Sequence, residues 1–288
     1  MEHGPSDAAA SASVVLDNRQ VGPGCFEMHL ANEHVARCAA PGQFVHVRVP
    51  TAVADPLLRR PLSVCLAEPS GGVFTVLYRV VGKGTTMLSA LRPGESLDVL
   101  GPLGRGFEMP PSGGGDGGMA GAGRAAVVAG GLGIAPLVML SHALVRAKVG
   151  LSFVVGASTS HLLVGLDLLP PHEDARLCQV YVVTEDGSVG RQGLVTDALR
   201  DLLVRGDFTC VYACGPAGML REVARLGEAF RVPVQVSLEQ RMACGLGACL
   251  GCAVRARGPE SGEHPAYLRV CADGPVFRAE EVDLDGIA

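Results

Sequence analysis

Four cysteines near the C-terminus constrain this chain more than any other feature. Cys244-Gly-Leu-Gly-Ala-Cys249-Leu-Gly-Cys252 is followed by a solitary Cys271. C-x4-C-x2-C with a distal fourth cysteine is a spacing by which thiolates hold a [2Fe–2S] cluster. Ferric iron wants anionic sulfur ligands, and Gly245, Gly247, Ala248 and Gly251 leave little bulk between them. Such a loop can curl until its backbone N–H groups point at the sulfurs. Structural zinc is the main competitor, but zinc sites usually pair their cysteines as two short knuckles. Here there is one knuckle, one cysteine five residues ahead of it and one far behind. The expected metal ligands are Cys244, Cys249, Cys252 and Cys271.

The other six cysteines show no disulfide framework, so a reducing cytoplasm is the expected setting. At 288 residues the chain has room for two or three modules. Aromatics make up 4% and tryptophan is absent, so the cores must be built from Val, Leu, Ala and Ile. A net charge of −5 gives no electrostatic reason to expect nucleic acid or an anionic membrane. The start of the chain lacks the basic-then-apolar pattern of a signal peptide. The longest apolar run, Ala125–Leu140, is broken by glycines and Pro136 and is too short to span a bilayer.

Residues 1–12 read as a disordered tail. Residues 13–108 carry short β-rich runs separated by turn signals, such as Phe44–Val49 and Val73–Val81. That spacing predicts a small antiparallel barrel. Residues 109–124 form a Gly-rich loop or linker. From 125 to 231 apolar strands alternate with helices, among them Pro136–Lys148, Asp197–Arg205 and Ala217–Phe230, which predicts a parallel α/β domain. Residues 232–288 read as a third, small module organised by its metal.

Further motifs add chemistry. Arg59-Arg60-Pro61-Leu62-Ser63 stands where a strand begins, offering a flat edge for a planar ring and a cation for a phosphate. Alone, an Arg-Pro before a strand is more often an edge-strand device. Leu77-Tyr78-Arg79 adds a ring and a second cation, and Gly84-Thr85 adds a turn whose N–H groups suit an anion; Tyr78 by itself reads equally as strand packing. Gly130-Gly131-Leu132-Gly133-Ile134-Ala135-Pro136 joins a strand to a helix, where backbone can approach a phosphate, although it is not the G-x-G-x-x-G fingerprint. Cys214-Gly215-Pro216 ends an apolar strand at the edge where open α/β sheets bind ligands. For Cys214 itself, a buried structural thiol is as good a reading. Thr184-Glu-Asp-Gly-Ser188 is an acidic loop that would favour ribose hydroxyls over a 2′-phosphate, hence NADH over NADPH.

Together these segments resemble the ferredoxin–NADP reductase superfamily. The resemblance implies FAD on the barrel, held by Arg60, Pro61, Leu62 and Ser63, by Leu77, Tyr78 and Arg79, and by Gly84 and Thr85. It implies NAD(H) at Gly130, Gly131 and Gly133 and at Cys214, Gly215 and Pro216. Leu132 is a mild departure from that family's glycine turn. With the segment Glu239–Cys252 and Val270–Phe277 included, nearly the whole chain is similar to electron transfer subunits of class 1B dihydroorotate dehydrogenase. Residues Arg255–His264 lengthen the gap before the fourth cysteine and read as a hairpin extension.

The resemblance implies an oxidoreductase subunit in pyrimidine (UMP) biosynthesis without a general acid or base. NADH and FAD exchange two electrons, whereas the cluster exchanges one at a time with an FMN-containing catalytic subunit that oxidises dihydroorotate. It also implies a heterotetramer, two of these chains flanking a dimer of catalytic subunits. The rival reading is a related NAD(P)H:ferredoxin-type reductase subunit, of a sulfhydrogenase or a transhydrogenase.

Overall fold

The computed structural model describes residues 8–50, 55–110, 123–171, 177–258 and 266–287. Residues 1–7 of the expected tail and 111–122 of the Gly-rich insert lie outside them.

Six antiparallel strands close the first domain into a barrel: β1 (Ala9–Gly22), β2 (Cys25–Ala31), β3 (Phe44–Arg48), β4 (Arg60–Glu68), β5 (Val73–Arg79) and β6 (Ser96–Leu103). Their order around the barrel is β1-β2-β5-β4-β3-β6. Strand alternation sends one set of side chains inward. Val45 and Val47 of β3, Leu62 and Val64 of β4, and Phe74, Val76 and Tyr78 of β5 share the barrel core. Each such fully buried aliphatic side chain contributes about 1.5–3 kcal/mol. The residues between them, Phe44 and His46 on β3 and Leu77 and Arg79 on β5, face away from that core.

The expected tail is shorter than the sequence suggested. Ala9–Ala12 pair with Asp98–Gly101 across the barrel seam. Their Ala-Ser composition carries little β-propensity, and the pairing partner lies far away in sequence. Helix α1 (Glu33–Cys38) locks this seam. Its cap residue Asn32 accepts from Val35 N at 3.0 Å and donates to the hydroxyls of Ser11 and Ser13, each at 2.8 Å.

The second domain is an open sheet in the order β10-β9-β8-β7-β11-β12-β15. Its strands are β7 (Arg124–Gly130), β8 (Gly150–Ala157), β9 (Cys178–Thr184), β10 (Arg191–Gln192), β11 (Phe208–Cys214), β12 (Val234–Ser237) and β15 (Val276–Arg278). All neighbours pair in parallel except β12 and β15. Helix α3 (Ala135–Arg146) covers one face, while α4 (Val195–Arg205) and α5 (Ala217–Phe230) cover the other. Successive residues of β7 therefore serve two cores: Ala126 and Val128 meet α4 and α5, whereas Ala125, Val127 and Ala129 meet α3. Helix α3 is wedged between sheet and barrel, with Met139 reaching the barrel core.

The segment expected as a separate module from 232 onward is joined to the sheet. β12 and β15 belong to the nucleotide-domain sheet, so the cysteine-rich segment is an excursion from that sheet's edge. Between them lies one small hairpin, β13 (Ala253–Arg255) and β14 (Tyr267–Arg269), with Arg255 opposite Tyr267. These strands flank the extension expected at Arg255–His264, of which 259–264 lie outside the described residues. The remaining helix, α2 (Lys83–Ser89), contains Gly84-Thr85, expected as a simple turn, in its first turn.

Asn18 fastens α2 to the barrel. Its amide nitrogen donates to the carbonyls of Leu88 and Leu91 at 2.9 and 3.0 Å, and its oxygen accepts from the buried Tyr78 hydroxyl at 2.9 Å. Removing it strands a buried phenol. Asn18→Ala should lower the unfolding free energy by about 1–3 kcal/mol, read as a lower urea midpoint; an unchanged midpoint would refute this anchoring role.

Candidate functional site

Three sites follow one another along the interface between barrel and sheet. At the first, Arg60 opens β4 and its guanidinium lies against the first turn of α2. A Cβ added to Gly84 would stand 2.5 Å from Arg60 Nε and 2.7 Å from Nη2. The Thr85 hydroxyl is already engaged, accepting from Val81 N at 2.9 Å and Gly82 N at 3.2 Å while donating to the Gly82 carbonyl. Thr85 therefore shapes the turn. First-turn N–H groups have no acceptor within a helix, and a guanidinium beside them makes a cradle for a pyrophosphate. A side chain at Gly84 would fill that cradle, so the residues present fit a dinucleotide such as FAD.

The expected barrel residues divide by strand face. Leu62 and Tyr78 point into the barrel core, and Tyr78 stacks on Phe26 with ring centroids 5.7 Å apart. Their side chains are packing residues. Pro61 and Ser63 alternate with Leu62 and lie cross-strand from His46 and Phe44, on the outer face. Leu77 packs toward Ile134 and Gly165 of the second domain, and Arg79 reaches the cleft described next.

That cleft, about 700 Å³ in volume, opens at the C-terminal ends of the parallel strands. It lies where the sheet order reverses between β7 and β11, the usual ligand position in open α/β sheets. Gly130, Gly131 and Gly133 form one wall; Gly215 and Pro216 form another. The two motifs interlock, since a Cβ on Gly133 would run into the Cys214 carbonyl. Cys214 contributes that carbonyl rather than its thiol. Its sulfur is buried facing Ser237, and burial, helped by the charge of Glu239, holds it well above the ordinary thiol range.

Glu239 and Glu185 are among the acidic residues that line the cleft, and sequence reading left the first of them unused. Glu239 lines the cleft and reaches solvent through it, yet protein crowds its other sides. Desolvation there pushes its carboxyl upward, opposed by Arg79. Glu185, from the acidic loop, also faces the cleft. Its neighbour Asp186 turns away to accept from the hydroxyl and the N–H of Ser188 at 2.6 and 2.9 Å, which hold its carboxyl below the usual range. Glu239 stands five residues ahead of the first cysteine, and only the sheet edge reveals that it belongs to the cleft.

At the third site, backbone N–H groups point at all four expected ligand sulfurs. Leu246 N reaches Cys244 Sγ at 3.4 Å, Gly251 N reaches Cys249 Sγ at 3.5 Å, Cys271 N reaches Cys252 Sγ at 3.4 Å and Gly247 N reaches Cys271 Sγ at 3.1 Å. Burial opposes ionisation of Cys244, but donation from Leu246, Cys249 and Ala248 outweighs it and brings the thiol down to about 6. Cys271 is pushed up to about 12 by burial and by its neighbour Cys252. Side-chain hydrogen bonding links Cys244 to Cys249 and Cys271 to Cys252. Among the described residues no three metal-binding side chains converge on one ion position. Two pairs of thiols, each with N–H donors, suit two irons better than one zinc. Cys249 is exposed between Leu246 and Leu250, which are 59% and 63% exposed.

Comparison with known proteins agrees with this division. Residues 239–283 match the iron–sulfur cluster binding domain of dihydroorotate dehydrogenase B, and residues 127–225 match the oxidoreductase NAD-binding domain. The dihydroorotate dehydrogenase B (NAD(+)) electron transfer subunits of Geobacillus thermodenitrificans and Bacillus caldolyticus are each 42% identical, over 94% of this chain and 97% of theirs. That of a Bacillus cereus strain is 37% identical over the same shares. Among solved structures, one described as an NADH-dependent reduced ferredoxin-NADP oxidoreductase superposes with a TM-score of 0.80 at 31% identity, covering 96% of this chain and 91% of that one. A ferredoxin reductase of carbazole 1,9a-dioxygenase shares the fold at 18% identity, with a TM-score of 0.64 over 80% of this chain and 69% of that one. The chain belongs to the family of dihydroorotate dehydrogenase B (NAD(+)) electron transfer subunits.

Proposed function

We propose that this chain carries electrons between NAD⁺ and the FMN of a dihydroorotate-oxidising catalytic subunit, in a complex of two chains of each kind. The observation that supports it best is the two-by-two arrangement of four N–H-supported thiols, rooted on the same sheet that forms the nucleotide cleft. When bound, FAD and a [2Fe–2S] cluster supply the conversion between hydride and single-electron transfer. The protein's own residues bind, orient and insulate.

Arg60 and the first turn of α2 hold the flavin pyrophosphate, and Pro61, Ser63, Leu77 and Arg79 present the outer barrel face to the ring. Leu62, Tyr78 and Thr85 act by shaping that face from beneath. Gly130, Gly131 and Gly133, with Gly215 and Pro216, admit the nicotinamide nucleotide, whose ribose meets Glu185; Cys214 braces the glycine turn. Cys244, Cys249, Cys252 and Cys271 ligate iron. Leu246 and Leu250 frame the exposed Cys249 and offer the catalytic subunit an apolar contact close to the cluster. None of the described helices is long and apolar enough to cross a membrane.

The ferredoxin-NADP oxidoreductase neighbour supports a second reading, a ferredoxin-linked reductase subunit. It is less similar than the dihydroorotate dehydrogenase relatives, at 31% against 37–42% identity. Co-purification with the catalytic subunit, followed by flavin and iron counts, separates the two.

Two substitutions test the assignments. Gly84→Ala drives a methyl into the Arg60 guanidinium and should release FAD on gel filtration, as should Arg60→Ala; stoichiometric flavin in both variants would refute the pyrophosphate cradle. Cys249→Ser should keep flavin and NADH:ferricyanide activity but abolish NAD⁺-linked dihydroorotate oxidation in the complex. Full dihydroorotate oxidation by that variant would exclude the cluster from the path.

A further inference from the structure

His46 is buried on the outer face of β3, between the flavin barrel and the cysteine loop. Its side chain has no accessible surface, and both ring nitrogens are enclosed without a hydrogen bond of full geometry. A buried polar group left in that state is costly, so a ring retained there needs a purpose. The imidazole is held from two sides. Phe44 packs edge-on against it, with centroids 6.5 Å apart. Arg59 donates to the His46 carbonyl at 3.2 Å and to Asp98 Oδ2 at 2.5 Å, fixing the strand beneath the ring.

The ring is aimed at the cluster loop. Gly245, immediately after the first cysteine, has φ +70°, and a Cβ there would stand 2.6 Å from His46 Nδ1 and 3.1 Å from Cε1. Only glycine admits both that backbone conformation and that approach. The backbone of Cys244 also acts on the imidazole. Across the β3–β4 pair, His46 stands opposite Pro61, one residue beyond Arg60. One side chain thus touches the turn that carries the first sulfur and neighbours the barrel face proposed for flavin.

We propose that His46 is a positioning residue of the electron path, donating a ring N–H to the Cys244 carbonyl and so clamping the Cys244–Gly245 turn to the flavin barrel. The inference rests on the flavin and cluster assignment of the preceding section. Its consequence is twofold. The clamp would fix the separation between flavin and the nearer sulfurs, and it would place the positive end of an N–H dipole on the turn that carries the first sulfur. Outer hydrogen bonds of this kind help set the potential of an iron–sulfur centre; a donor stabilises the reduced, more negative form.

The test uses the complete holoprotein and two variants, His46→Leu and His46→Gln. Leucine keeps the volume and removes the donor, while glutamine returns an N–H. The readouts are iron and sulfide content, the cluster's midpoint potential by redox titration followed by EPR, and the EPR line shape. His46→Leu is expected to lower the midpoint and alter the spectrum, and His46→Gln to restore both. A wild-type midpoint and spectrum in His46→Leu would overturn the proposal, as would a directly coordinated nitrogen in pulsed EPR of the wild type. Should His46→Leu fail to retain iron, His46→Gln decides: full iron with a wild-type midpoint supports the clamp, and the same loss of iron rejects it. Wild-type protein reconstituted without flavin or cluster would instead reject the underlying assignment.

Discussion

The hydrogen-bonded pairing of β11 with β12 is the constraint on which the functional geometry depends. In this register Cys214 stands beside Ser237. One strand end opens into the Gly215-Pro216 wall of the nucleotide cleft. The other continues through Leu238 and Glu239 toward Cys244. On the return, the chain leaves Cys271 and re-enters the same sheet at Val276, opposite Ser237. Nucleotide and metal sites are therefore separated by neighbouring strands of one sheet, and no flexible linker lies between them. A parallel sheet buried on both faces yields little to local fluctuation. That rigidity is what an electron path needs, because the protein's contribution is to fix distances.

The barrel joins this frame at three places. Helix α3 packs against both the sheet and the barrel, and it carries the glycine turn at its start. Near the cysteines, Arg105 N donates to the Gly274 carbonyl at 2.5 Å. Farther away, Arg19 bridges Glu27 of the barrel and Asp167 of the second domain, at 2.7 and 3.7 Å. Glu27 is fully buried, and hydrogen bonds from His29 and Arg19 overcome its desolvation to hold its carboxyl below the usual range. The interface thus combines an apolar wedge with a few backbone and charged ties, which seats the outer face of β4 between nucleotide cleft and cluster loop.

What the sequence made legible was what local chemistry determines. The cysteine spacing, the strand–glycine–helix turn and the amphipathic run Ala217–Phe230 each encode their structure within a few residues. What it hid was set by partners distant in the chain. Ala9–Ala12 are strand only because β6 pairs with them. Val234–Ser237 looked like the start of a metal module because its neighbours, β11 and β15, are remote in sequence. Cys214 and Tyr78 stand in segments of the expected kind, yet their side chains turn to Ser237 and Asn18; motif position alone does not say which face a side chain takes. His46 gave no signal at all, since a lone histidine in an alternating strand is read as one more barrel residue.

The cysteine loop shows how small residues can serve two surfaces at once. On its inner side each left-handed glycine is matched to a specific neighbour, Gly245 to His46 and Gly247 to Ala272 and the Arg269 guanidinium. Arg269 is itself oriented by Asp273 at 2.9 Å and donates to the Gly247 carbonyl at 3.3 Å. The inner side is thereby fixed from the barrel and from the hairpin independently. On its outer side Leu246, Ala248, Cys249 and Leu250 are exposed, a concentration of apolar surface unusual in a chain that buries most of its large aliphatic residues. A loop rigid on one side and apolar on the other satisfies both requirements of a relay terminus. Under the proposed function it would hold its sulfurs in place before the catalytic subunit arrives and let that subunit approach over apolar surface.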